Sequence, residues 1–285
     1  MIRTPPGWGA DMLTQAYRSL TTPTGTGNWE ADRLSGRLGV RRLNFDDLRW
    51  ALARGWDDFG QSRTDVIFLC VMYPLLGLVL ARLAFGYEML PLVFPLASGF
   101  ALLGPLAAVG LNELSRRREL GLSAGWSDAF KVFSSPSFNS IALLGLILML
   151  MFVFWLVLAQ LVYNLTLGPE PPVSLGSFAH DVLTTPAGWA MAVVGTGIGF
   201  VFAAIALSIS VVSFPMLLDR HVSLETAVRT SINVVRHNPV VIAAWGLIIT
   251  AGLVIGSIPL LLGLIVVMPV LGHATWHLYR RVVQY

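Results

Sequence analysis

Charge is scarce in this chain. Only 12% of its 285 residues are Asp, Glu, Lys or Arg, against about 25% in a soluble domain, while 55% are apolar. Together these figures exclude an ordinary water-soluble domain and point to an integral membrane protein. The net charge of +3 is too small to mark a nucleic-acid binder, so the placement of basic residues matters more than their number. Cysteine is nearly absent. Cys70 stands alone, which excludes an internal disulfide framework and a zinc ribbon, and it lies in an apolar run where an inert buried thiol is the default. The first sixty residues lack an apolar stretch long enough for a signal peptide, so the N-terminus is expected to stay untranslocated. No ionisable residue falls near the middle of an apolar run, which argues against a proton- or sodium-coupled pump. Ser, His and Asp occur without the strand-turn-helix context of a nucleophile, and the glycines of "GTGIGF" at 195–200 sit inside an apolar run rather than after a strand. No enzymatic activity and no cofactor are expected.

What is present is a series of long apolar runs. A helix needs about 20 such residues to cross the hydrocarbon layer. The candidates are about 65–84, 89–112, 141–163 and 189–214, followed by an uncharged stretch that is too long for one crossing. Gly256, Ser257, Ile258 and Pro259 break that stretch into 240–256 and 258–278. Six spans result. Eighteen of the nineteen Lys and Arg residues then fall on one side, with Arg82 the exception. Because basic loops stay in the cytoplasm, both termini are expected there, in the inner membrane of a bacterium. Residues 1–42 read as a flexible cytoplasmic tail and 43–285 as a membrane domain.

Three cytoplasmic segments share a pattern. "NFDDLRWALARGWDDF" precedes the first span, with Leu48, Leu52, Trp56 and Phe59 on one face and Asn44 as cap. "SAGWSDAFKVFSSP" precedes the third, with Trp126, Ala129, Phe130 and Phe133 together and Ser123 as cap. "SLETAVRTSINVVRHNP" precedes the fifth, with Leu224, Val228, Ile232 and Val235 together and Ser223 as cap. The expected fold is therefore all-α: three helix-hairpin repeats, each led by an amphipathic helix lying in the cytoplasmic membrane interface.

These residues carry a resemblance. "RRLNFDDLRWALARGWDDF" at 41–59, "PMLLDRHVSLETAVRTSINVVRHNP" at 215–239 and "GLIVVMPVLGHATWHLYR" at 263–280 resemble the bacterial integral membrane proteins of domain of unknown function 2189. The similarity is expected to run over about 41–283. It implies a polytopic inner-membrane protein and brings no catalytic residues with it.

Two histidines remain to be weighed. His273 and His277 are four apart, on one face of a helix. As metal or haem ligands they would need further donors, and His221, His237, Asp219 and Glu113 are the candidates on that side. The favoured expectation is a membrane border, with Trp276, Tyr279, Arg280 and Arg281 as interfacial anchors alongside Trp56 and Trp126. Gly195 and Gly199, and Gly252 and Gly256, have the small-xxx-small spacing of close helix packing. The expected role is a scaffold, assembly factor or accessory subunit that binds anionic lipid and a partner membrane complex. The alternatives are a path for a small neutral or lipid-like solute, and a metal or haem protein.

Overall fold

The computed structural model describes residues 39–61, 90–259 and 261–284. The span expected at 65–84, Cys70 and nearly all of the tail expected over 1–42 lie outside these residues. The described fold is all-α apart from one two-stranded antiparallel ladder, in which β1 (Gly39–Val40) pairs with β2 (Val283–Gln284).

α1 (Phe45–Gln61) begins where the sequence reading puts it. The Asn44 side chain accepts from the Asp47 N–H at 2.9 Å, and the Asp47 carboxylate accepts from the Asn44 N–H at 3.0 Å. This reciprocal cap satisfies two orphan donors of the first turn. The buried stripe is Asp47, Leu48, Ala51, Gly55 and Asp58, rotated from the expected face because the partner helix comes very close. A Cβ on Gly55 would lie 2.5 Å from the Val270 carbonyl oxygen. Phe45 and Trp56 consequently stay more than half exposed.

α2 (Leu90–Ala107) runs into α3 (Val109–Glu119) past Pro105, which removes a helix hydrogen bond near the break. A 3-10 helix, Trp126–Ser134, follows. Its cap is Gly125 rather than Ser123: the Gly125 N–H donates to the Asp128 carboxylate at 2.9 Å. α4 (Phe138–Thr166), α5 (Leu175–Thr184), α6 (Pro186–Ser210) and α7 (Ser213–Arg220) come next. α5 occupies a stretch that reads as a connection in the sequence, and Ser174 caps it by accepting from the Ser177 N–H at 3.1 Å. α8 (Leu224–His237), α9 (Pro239–Ser257) and α10 (Leu264–Val282) complete the order. Ser223 caps α8 as expected, accepting from the Thr226 N–H at 3.2 Å.

Among the described residues, four helical runs are long and apolar enough to cross a membrane: Leu90–Glu119, Phe138–Thr166, Pro186–Arg220 and Pro239–Ser257. Each matches an expected span to within a few residues, except where the helix runs on past the apolar stretch. α10 falls short of that standard. It starts at Leu264, not near 258, and its second half is polar.

The packing divides the molecule in two. Along α4, α6 and α9, large apolar side chains such as Leu150, Phe154, Phe200, Leu247 and Val254 are exposed, as in helices that meet lipid. A dense core gathers at the other level, where Leu48, Ala51, Met216, Leu217, Ala227, Ala274, Trp276 and Leu278 are all at most 2% exposed. Asn238 ties this core to the ladder. Its Oδ1 accepts from the Leu43 N–H at 2.6 Å, and its Nδ2 donates to the Arg41 carbonyl at 3.1 Å.

Candidate functional site

The polar stretch of α10, "GHATWHLYRR", runs through the middle of that core. Most of its polar groups meet partners within the protein. The Trp276 indole N–H donates to Glu119 at 2.9 Å. The Tyr279 hydroxyl donates to Asp219 at 2.7 Å and accepts from Arg220 at 3.0 Å; burial and the Asp219 carboxylate push the phenol well up from its ordinary range, so it remains a donor. Arg280 bonds Glu119 at 2.7 Å. Arg281 stacks 4.0 Å above the Trp50 ring, and His277 meets the same ring edge-on.

His273 and His277 converge on Asp58 of α1 and Ser115 of α3. His277 Nε2 lies 2.9 Å from Asp58 Oδ2. Ser115 Oγ bonds the same carboxylate oxygen, and His273 Nδ1 lies 2.8 Å from Ser115 Oγ. Arg118 adds a 2.7 Å hydrogen bond to the Asp58 carbonyl and a 3.4 Å contact to its carboxylate. Burial alone would raise the Asp58 carboxyl, but the hydrogen bonds from His277 and Ser115 and the charges of the two imidazoles outweigh it and hold the group at about 2. Asp58 is therefore an anion and can only accept. A serine hydroxyl has one proton, and here it goes to Asp58, so His273 must donate to Ser115 through Nδ1–H. One hydroxyl thus relays between an imidazole and a carboxylate on two other helices.

This geometry does not serve hydrolysis. In a nucleophile-base-acid set the carboxylate orients the imidazole that faces the hydroxyl, whereas here it takes the hydroxyl's own proton. Ser115 is also only 1% exposed. The four donors weighed for a metal lie elsewhere: Glu113 on Arg116 at 2.7 Å, Asp219 on Tyr279, His221 on Ser137 at 3.0 Å, and His237 on the Asn233 carbonyl at 2.8 Å. Among the described residues no group of three His, Cys, Asp or Glu is arranged to hold an ion.

The four long apolar helices and their exposed apolar flanks give the class of the molecule. Residues 93–219 match the family model for predicted integral membrane proteins, DUF2189. The match runs from α2 to Asp219 in the last turn of α7, a shorter stretch than the 41–283 over which the resemblance was expected. It contains Ser115, Glu119 and Asp219, which bond α10, and Arg118, which bonds Asp58 of α1, while α10 itself and α1 lie outside it. No curated protein and no solved structure matches the chain.

The expected site residues divide. Trp276 and Tyr279 are each 1% exposed, so both rings lie inside the protein rather than at a lipid border. Arg280 and Arg281 are bound to Glu119 and Trp50. Trp56 faces outward, 57% exposed, and the Trp126 side chain lies outside the described residues. Of the glycines, Gly199 sits 3.2 Å by its Cβ position from the Trp155 ring, Gly252 3.1 Å from Val267 and Gly256 2.9 Å from Leu264, all internal contacts, while Gly195 faces open space. The sequence reading missed Asp58 and Ser115. The available signal was the small pair Gly55 and Ala51, one and two turns before Asp58, which marks a close helix contact.

Proposed function

We propose that this chain is a non-enzymatic protein of the bacterial inner membrane: a scaffold, assembly factor or accessory subunit that binds anionic lipid at a basic cytoplasmic face and docks a partner membrane complex there. One contrast carries the reading. Most polar groups of α10 meet partners inside the protein, while α1 and the 3-10 helix turn Phe45, Trp56, Phe130 and Phe133 outward. Side chains satisfied within a locked layer, beside exposed aromatics on surface-lying helices, suit adhesion rather than turnover.

The same contacts support six spans with both termini on the cytoplasmic side. Asp58 touches Arg118, so an even number of crossings separates them. Leu90–Glu119 is one, which favours a second at the expected 65–84. Asp219 touches Tyr279 and Arg280; α9 is one crossing between them, which favours α10 as the return despite its polar second half. The ladder joining residues 39–40 to 283–284 is consistent with an even total. α1, the 3-10 helix and α8, each ahead of a helical pair, would be the three repeat leaders.

Mild-detergent extraction, with identification of what co-purifies, tests the role. The expected result is anionic phospholipid together with a stoichiometric membrane partner, both lost in a Phe45→Ser, Trp56→Ser variant that still folds. Recovery of the chain alone, coupled with solute flux in proteoliposomes, would replace the scaffold with a transporter.

A further inference from the structure

We propose that the outer face of α8 holds the phosphate of an anionic phospholipid between Arg229 and Arg236. A shallow groove of about 390 Å³ opens there, lined by Arg229, Ile232, Asn233 and Arg236. The residues are spaced i, i+3, i+4 and i+7, so they share one face of α8, with two arginines two turns apart on either side of an amide and a branched apolar side chain. No carboxylate lines the groove. Glu225 approaches from one end and pairs with Arg229 at 2.6 Å, but that pair is exposed, at 46% and 76%, and an exposed pair is weakly held.

Elsewhere in the core layer the arginines are engaged: Arg116 by Glu113, Arg118 by Asp58, Arg280 by Glu119, Arg281 by Trp50. In the groove Arg229 and Arg236 face outward with no carboxylate in the lining. Its level also fits a headgroup. α8 buries Leu224, Ala227, Ser231 and Val234 against the protein, and turns half-buried Val228, Ile232 and Val235 to the side. Two residues after α8 ends, α9 begins a crossing, with Val240 already 68% exposed. Arg236 thus stands one turn before the lipid-facing part of a span, where a long cationic side chain reaches the phosphate layer while its stem stays on apolar surface. Ile232 would meet the glycerol and first methylenes. The occupant is a lipid phosphate rather than a free one because the groove joins an apolar margin. This inference rests on the anionic-lipid reading above and assigns its residues.

The full chain is reconstituted in nanodiscs or micelles carrying phosphatidylglycerol or phosphatidylcholine, and retained lipid is counted by native mass spectrometry. The wild type should prefer phosphatidylglycerol several-fold. Arg229→Gln with Arg236→Gln should lower that preference at least threefold with an unchanged unfolding temperature, and the double lysine variant should recover most of it. Arg49→Gln, on the exposed face of α1, should leave it unchanged. If the double glutamine variant does not fold, Arg236→Gln alone is read. A wild type indifferent to headgroup charge overturns the anionic-lipid reading itself. A wild-type preference that survives both substitutions overturns only this site. Displacement of the lipid by millimolar inorganic phosphate would make it a site for soluble phosphate and overturn the proposal.

Discussion

Asp58 and His277 stand 219 positions apart in the chain and meet at 2.9 Å. Around that contact α1, α3 and α10 are held as one unit, and what looks like a ligand pair in the sequence becomes the fastening of three helices.

Asp58→Asn should destabilise the protein by about 3 kcal/mol, because it leaves His277 and Arg118 with a poorer acceptor in a buried site. Thermal unfolding in detergent measures this. A variant as stable as the wild type would show that the carboxylate fastens nothing.

The same carboxyl gives a pH dependence. Its folded value of about 2 lies below the ordinary 3.8, so the unfolded chain takes up the proton first as the solution is acidified. The contribution is complete above about pH 4 and is lost as pH falls through about 2, roughly 2 kcal/mol in all. Unfolding free energies followed between pH 5 and 2 should fall more steeply for the wild type than for Asp58→Asn, and parallel curves would remove Asp58 from the acid limb.

Replacing His273 and His277 together by Gln separates the border from the fastening. Border residues would tolerate the change. Here His273 is 0% exposed and the two rings serve Ser115 and Asp58, so a loss of about 2–4 kcal/mol is expected from two buried hydrogen bonds. Near-wild-type expression and melting would restore the border.

Glycines supply a paired test. Gly55→Ala places a methyl 2.5 Å from the Val270 carbonyl oxygen, and overpacking of this kind costs about 1–3 kcal/mol; limited proteolysis should open α1 first. Gly195→Ala meets nothing within 4 Å and should be neutral or stabilising by about 0.5–1 kcal/mol. Equal effects at the two sites would contradict the packing.

Reporter fusions after Gly168 and after Tyr285 should read out on opposite sides of the membrane. The same side for both would break the even count of crossings.

Four of the expected spans were legible because an apolar run of fixed length is a local signal, and Ser223 and Asn44 were legible because a cap is local too. The fastening was not. A histidine in an apolar stretch reads alike whether it faces a lipid headgroup or a carboxylate on another helix, and periodicity carries no information about a residue 219 positions away. Trp276 and Tyr279 show the cost of that blindness: aromatic residues beside arginines have the composition of a membrane edge, yet Glu119 and Asp219 draw them inward. α1 was displaced for a related reason. Its most hydrophobic face includes Trp56, but the face that packs is the one whose small residues let α10 approach.

Sequence distance also sets an order of events. A ribosome adding roughly 5–20 residues per second releases Asp58 about 10–40 s before His277. Throughout that interval α1 has been synthesised while the helix it packs against has not, so the Asp58–His277 contact cannot yet form. The fastening of three helices is thus an event of the end of synthesis, although one of its two poles is made near the beginning.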